Sequence, residues 1–199
     1  MIQRMNRSKF QTESELVDRF LRLLGYSDFS LHDPNAAGTE TGADVLVLMP
    51  GKRYGVQVTV LHTDEGRDPS RKGSELRRQE ARFNNSTQPY AAWGVPNPMA
   101  ALRYRIAEKS RKVYPAADFD EVVLLVASGL PQMGVIGSTL VLDLALEIDR
   151  MNAELAPILQ HSRYGSAYLF NIMGIGGPSV YEWQPDRGWR KIPKAVDRT

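Results

Sequence analysis

The stretch Gly42-Ala43-Asp44-Val45-Leu46-Val47-Leu48-Met49-Pro50-Gly51-Lys52-Arg53-Tyr54-Gly55-Val56-Gln57-Val58-Thr59-Val60 decides the fold. Two apolar runs, Ala43 to Met49 and Tyr54 to His62, flank Pro50-Gly51-Lys52-Arg53, a segment rich in turn formers, so the spacing predicts a hairpin. Val45 and Val47 alternate with Leu46 and Leu48, while Val56, Val58 and Val60 alternate with Gln57, Thr59 and Leu61. Side chains on successive strand residues point to opposite faces, and this alternation suits strands packed on both faces in the middle of a sheet.

Toward the N-terminus, Ser27 to His32 reads as a further strand, and before it Leu16, Val17, Phe20, Leu21 and Leu24 recur on one helical face from Thr12, with Gly25 where a left-handed cap would fall. Toward the C-terminus the chain becomes strongly charged between Asp64 and Arg82, and Ser74 to Phe83 fits a short helix. Phe83 to Pro98 reads as a loop, and Met99 to Val113 as a basic amphipathic helix with Met99, Leu102, Ile106 and Val113 on one face. Glu121 to Ala127 reads as a buried strand. Ser138 can cap a helix whose face is Val141, Leu144, Ala145, Ile148 and Met151, and Ser166 to Met173 and Ser179 to Trp183 are late strands. Hairpin-linked strands followed by a crossover helix and another strand imply an α/β (α+β) mixed sheet with helices on its faces, not a doubly wound nucleotide fold.

With 199 residues, 42% hydrophobic and 24% charged, the chain suits one globular domain. It has no cysteine, which excludes disulfides, thiolate metal sites and cysteine nucleophiles. No apolar run of about eighteen residues occurs, and Met1 to Gln11 is basic and polar, so no membrane partner is expected and the cytoplasm is the expected compartment. The net charge of +2 leaves any nucleic-acid surface to local clusters of basic residues.

Glu13 falls on the stripe of Leu16, Val17, Phe20 and Leu24, whereas Glu15 lies opposite. A carboxylate on an apolar stripe must be hydrogen-bonded, ion-paired or on a metal, because leaving it unpaired costs several kcal/mol. The alternative is an ordinary acid of a helix start, favoured by the macrodipole. Asp44 stands at the mouth of the first hairpin strand, and Gln57 and Thr59 share one face of the second, which pairing would bring beside Asp44. Here the alternative is a polar, solvated face of the sheet. Lys109 lies on the apolar face of its helix, where it either reaches a carboxylate or snorkels to solvent.

A helix acid, then G-x-D on a strand, then an acid or glutamine two residues before a lysine on the paired strand is the signature of PD-(D/E)XK nucleases, and this chain resembles it with Glu13, Gly42-Ala43-Asp44 and Gln57-Val58-Thr59. Glu13-Ser14-Glu15-Leu16-Val17 ending in Leu24-Gly25-Tyr26 also looks like the first helix of the Holliday-junction-resolvase type members. The resemblance covers residues 12–127 and implies a restriction-endonuclease-like αβββαβ core, with residues 128–199 a C-terminal extension of helix and strands within the same single domain. It implies a DNA endonuclease in which Glu13, Asp44 and Gln57, the last through its carbonyl oxygen, hold Mg²⁺ or Mn²⁺, and a metal-bound water attacks the phosphodiester. The family places lysine where this chain has Thr59, and some members carry that lysine on the following helix, which makes Lys109 its candidate replacement and Lys72 a second.

Basic residues from Arg67 to Arg82 and from Arg103 to Lys112 would flank that site and contact phosphates, and Tyr90, Trp93 and Tyr104 could stack on bases. His32, His62 and His161 lack metal-ligand spacing, and the turn Gly174 to Pro178 lacks the lysine of a phosphate loop. Two functions therefore stand as expectations. One is a Mg²⁺-dependent endonuclease, as monomer or homodimer, of repair, restriction or mobile-element biology. The other is a catalytically inactive member of the fold that binds DNA or a protein partner, motivated by Gln57 and Thr59 in place of charged residues.

Overall fold

In the computed structural model, which describes residues 9–35, 42–61, 98–111, 119–128, 147–172 and 177–193, Pro50 and Gly51 form the tip of the expected hairpin. Gly51 has φ 74°, a left-handed backbone that glycine adopts without a Cβ clash, and Met49 pairs directly with Lys52 across the turn. The flanking strands are β2 (Val45–Met49) and β3 (Lys52–Val60), and β1 (Ser30–His32) pairs antiparallel with β2 on the outer side. β1 is shorter than the expected strand from Ser27.

Helix α1 (Lys9–Leu23) precedes these strands, beginning before the expected Thr12. It ends in a Schellman motif: Gly25 at φ 88° donates to the Arg22 carbonyl at 3.0 Å, and Tyr26 N–H donates to the Leu21 carbonyl at 3.0 Å. The buried face is Leu16, Val17, Phe20 and Leu21, as the spacing predicts. After β3 come α2 (Pro98–Ser110) and β4 (Glu121–Ser128), the latter parallel to β3 with Gln57 opposite Leu124 and Thr59 opposite Val126.

The C-terminal elements are α3 (Ile148–Glu154), α4 (Ala156–Gln160), β5 (Ser166–Asn171), β6 (Ser179–Gln184) and β7 (Gly188–Ile192). β5 runs parallel to β4, and β6 and β7 continue antiparallel, giving one mixed seven-stranded sheet in the order β1-β2-β3-β4-β5-β6-β7. The late strands thus extend the central sheet itself. The sheet is covered by helices on both faces. α1 closes one core over Val45, Val47, Val56, Val58, Val123, Leu125 and Phe170, and α2, α3 and α4 close another over Leu124, Val126, Leu169 and Trp183. A central parallel strand packed on both sides, β4, accordingly reads as an unbroken apolar run.

The expected continuous helix from Ser138 through Met151 is corrected. Glu147 is extended (φ −91°, ψ 126°), so a helix begins at Ile148, and apolar spacing alone carries no sign of that start; Ser138, Val141, Leu144 and Ala145 lie outside the described residues. α4 and β7 were not anticipated. α4 is a five-residue turn with Pro157 near its start, where the missing N–H has no helical partner to lose. β7 alternates buried Trp189 with exposed Arg190 and carries too few apolar residues to stand out. The expected helix at 74–83, the loop at 83–98, the Gly174 to Gly176 part of the late turn, Tyr90, Trp93, His62, Lys72 and the basic residues between 67 and 82 lie outside the described residues. Among the described residues no helix is long and apolar enough to cross a membrane.

Candidate active site

α1 presents Lys9 and Glu13 one helical turn apart, and Lys9 reaches Asp44, the residue before β2. Lys9 Nζ donates to Asp44 Oδ1 at 2.7 Å and lies 3.4 Å from Glu13 Oε1, so one ammonium joins the two carboxylates. The side chains of Glu13 and Asp44 are only 15% and 14% exposed, whereas that of Lys9 is 76% exposed. Glu13 is therefore not an ordinary solvated acid of a helix start.

Asp44 is held by backbone as well. Its N–H donates to the Val56 carbonyl at 2.9 Å, and its Oδ2 accepts from Val58 N–H at 2.9 Å, taking a donor of β3 beyond the end of β2. The loop before it is pinned from two sides: Arg163 donates to the Gly42 carbonyl at 2.9 Å and Asn35 Nδ2 to the Ala43 carbonyl at 3.2 Å. Gly42 has φ 73°, a backbone that favours glycine at this turn into the strand.

The charges at the cluster act on one another. Burial, and then the negative charge of Asp44, push the Glu13 carboxyl above the usual carboxylate range, and Lys9 and Lys109 oppose that rise. The hydrogen bond to Asp44 raises the Lys9 ammonium above its ordinary value against a smaller effect of burial. Lys109, in the last turn of α2 and partly buried, thus carries its positive charge close enough to be felt at Glu13.

Gln57 and Thr59 are 2% and 7% exposed, which settles them in the packed side of the sheet under α2 and not on a solvated one. Gln57 Oε1 accepts a short hydrogen bond from the Tyr164 hydroxyl, which also lies 3.3 Å from the Lys109 carbonyl oxygen. Tyr164 stands between α4 and β5, so the end of α2, the middle of β3 and the entry to β5 meet at its ring tip. The structure therefore joins Glu13 and Asp44 through Lys9, with the charge of Lys109 acting on Glu13 at longer range, and links Gln57 to the Lys109 backbone through Tyr164. Thr59 lies two residues along β3, on the Gln57 face.

Three residues of this arrangement escape sequence reading. Lys9 is four residues before Glu13, a spacing that reads as an ion pair once the helix is extended back to it. Arg163 and Tyr164 carry no motif, and their contacts span 121 and 107 residues. Among the described residues no three His, Cys, Asp or Glu gather as a metal set. Two carboxylates still suit a hard cation such as Mg²⁺, which keeps several waters and commonly takes one or two carboxylates together with substrate phosphate oxygens.

Comparison of the chain with protein-family models, with curated proteins and with solved structures returns no match.

Proposed function

We propose that the chain is a metal-dependent DNA endonuclease with a restriction-endonuclease-like core formed by α1, β1, β2, β3, α2 and β4. The observation that carries this reading is the convergence of Glu13 and Asp44, 31 positions apart in the sequence, on a single cation, the Lys9 ammonium. The element order, with β1, β2 and β3 antiparallel and β4 parallel to β3, supports it, as does the place of Asp44 at the β2 and β3 pairing.

The residues present fit a divalent cation through the Glu13 and Asp44 carboxylates. Mg²⁺ or Mn²⁺ held there would supply Lewis acidity and a bound water of lowered pKa. Asp44 is oriented by Val58 N–H, which fixes one oxygen and leaves the other facing the cation position. Lys109 supplies the positive charge that the uncharged Thr59 hydroxyl cannot offer to a phosphate. Tyr164 holds Gln57 and the end of α2 together and so sets where Lys109 begins its reach. Exposed Arg103 and Arg111 on and just after α2 serve as contacts to the DNA backbone, which attract phosphates without reading bases.

The test is nicking of supercoiled plasmid with Mg²⁺ or Mn²⁺ by the wild-type chain and by Asp44→Ala and Lys109→Ala purified identically. Cleavage by wild type, lost in Asp44→Ala and reduced by about 10²-fold or more in Lys109→Ala, is the expected result. Cleavage that survives in Asp44→Ala would overturn the assignment. Inactivity of the wild type on duplex and single-stranded DNA would favour the second reading, a non-catalytic DNA- or protein-binding member of the fold, for which the engagement of Gln57 Oε1 by Tyr164 is the specific observation.

A further inference from the structure

Two carboxylates that share a partly buried position repel each other, and a cation between them relieves the repulsion. In this chain that cation is a side chain. Lys9 Nζ lies 2.7 Å from Asp44 Oδ1 and 3.4 Å from Glu13 Oε1, the two carboxylates that would hold a metal ion. An ammonium and a divalent cation cannot both bind them at once, since like charges a few ångströms apart in a partly desolvated site repel strongly.

We propose that Lys9 is a built-in competitor for the divalent cation at the Glu13–Asp44 pair, so that metal enters by exchange with its ammonium. The inference rests on the metal-site reading given above. Lys9 is suited to exchange because its side chain is 76% exposed and extends from the first residue of the described part of α1 on a flexible four-carbon stem. Swinging it into water uncovers both carboxylates without moving α1 or β2. Asp44 keeps its Val58 N–H bond throughout, so one ligand stays oriented while the position changes occupant. Glu13, by contrast, has Lys9 as its hydrogen-bonding cation among the described residues, with Lys109 acting at longer range. The free protein thereby avoids an uncompensated pair of acids, and its apparent metal affinity is lowered by the fraction of molecules in which Lys9 is seated.

The test uses the full chain and reads metal binding, not cleavage. Mn²⁺ binding is measured by electron paramagnetic resonance or calorimetry for wild type, Lys9→Met and Asp44→Asn, and acylation of the Lys9 amine is followed by mass spectrometry with and without saturating Mn²⁺. Lys9→Met is expected to bind Mn²⁺ about two- to fivefold more tightly, the range set by the strength of an exposed ion pair. Mn²⁺ is expected to speed acylation of Lys9 in the wild type, a measurement that needs no variant to fold. Equal or weaker Mn²⁺ binding in Lys9→Met, with binding lost in Asp44→Asn, would overturn the exchange while leaving the metal site standing. Acylation of Lys9 unchanged by Mn²⁺ would overturn it as well. Mn²⁺ binding that is the same in wild type and Asp44→Asn would remove the metal site and the exchange together.

Discussion

The Tyr164 hydroxyl donates to Gln57 Oε1 across 107 residues of chain, tying the entry of β5 to the middle of β3. Tyr164 is 3% exposed and Gln57 2%, so neither group can turn to water when the other is lost. The same hydroxyl lies against the Lys109 carbonyl oxygen, which places a single proton donor at the meeting of three elements.

Tyr164→Phe removes that donor while keeping the ring. Leaving a buried carbonyl oxygen short of a partner costs about 1–2 kcal/mol. The expected result is a lower urea midpoint with an unchanged denaturant slope, and a midpoint equal to wild type would show that the contact contributes nothing to stability.

Glu13 is expected to weaken the fold at neutral pH, because its carboxyl is raised above the usual range in the folded chain. The sign follows from proton linkage. When the folded pKa exceeds the unfolded one, the native state binds more protons, so stability falls as pH rises from the ordinary glutamate range through the folded value. Glu13→Gln should therefore match or exceed wild type in thermal midpoint at pH 7 to 8, about the range of ordinary working buffers. The difference should shrink as the pH is lowered toward about 4. A variant less stable than wild type at neutral pH and recovering in acid would reverse the sign and count against the burial of the charge.

Glu182 on β6 is buried and accepts from the Tyr168 hydroxyl at 2.9 Å, from Gln184 Nε2 at 3.3 Å and from Arg190 Nε at 2.7 Å on the neighbouring strand β7. Burial, then the charge of Glu182, push the Tyr168 hydroxyl well above its ordinary range, so it remains a neutral donor at all working pH values. Arg190→Ala should cost about 1.5–3 kcal/mol, the range for hydrogen bonds to a charged group. Adding Glu182→Gln to Arg190→Ala should restore part of the loss, because an amide is cheaper to leave in a buried site than a carboxylate. A double variant less stable than the single one would mean that charge is not the cause.

Gly55 on β3 has no room for a methyl group, since an added Cβ would lie 2.5 Å from Phe119 Cδ2. Gly55→Ala should destabilise by about 1–3 kcal/mol through this overpacking. Cutting Phe119 back to Ala in the same chain should relieve the clash, which a double-mutant cycle in thermal or chemical unfolding would register as a non-additive pair. Additive losses would show that the two residues do not meet.

Local order made much of this protein readable in its sequence. Val45 to Met49 and Val56 to Val60 announce buried strands because strand residues alternate with a period of two, Gly51 announces the turn because φ 74° suits a residue without Cβ, and Leu16, Val17, Phe20 and Leu21 announce α1 by their 3.6-residue recurrence. The same periodicities place Glu13 inward and Gln57 and Thr59 on one face. Each of these rests on neighbours within a few positions along the chain. What only the tertiary structure decided are the meetings between distant segments: Lys9 with Asp44, 35 residues apart, Arg163 with Gly42, Tyr164 with Gln57, and the growth of the sheet through β5, β6 and β7. Strand neighbours and register follow from how whole faces bury one another, and a lysine, an arginine or a tyrosine at a loop or helix end carries no periodic mark of the partner that folding will bring to it.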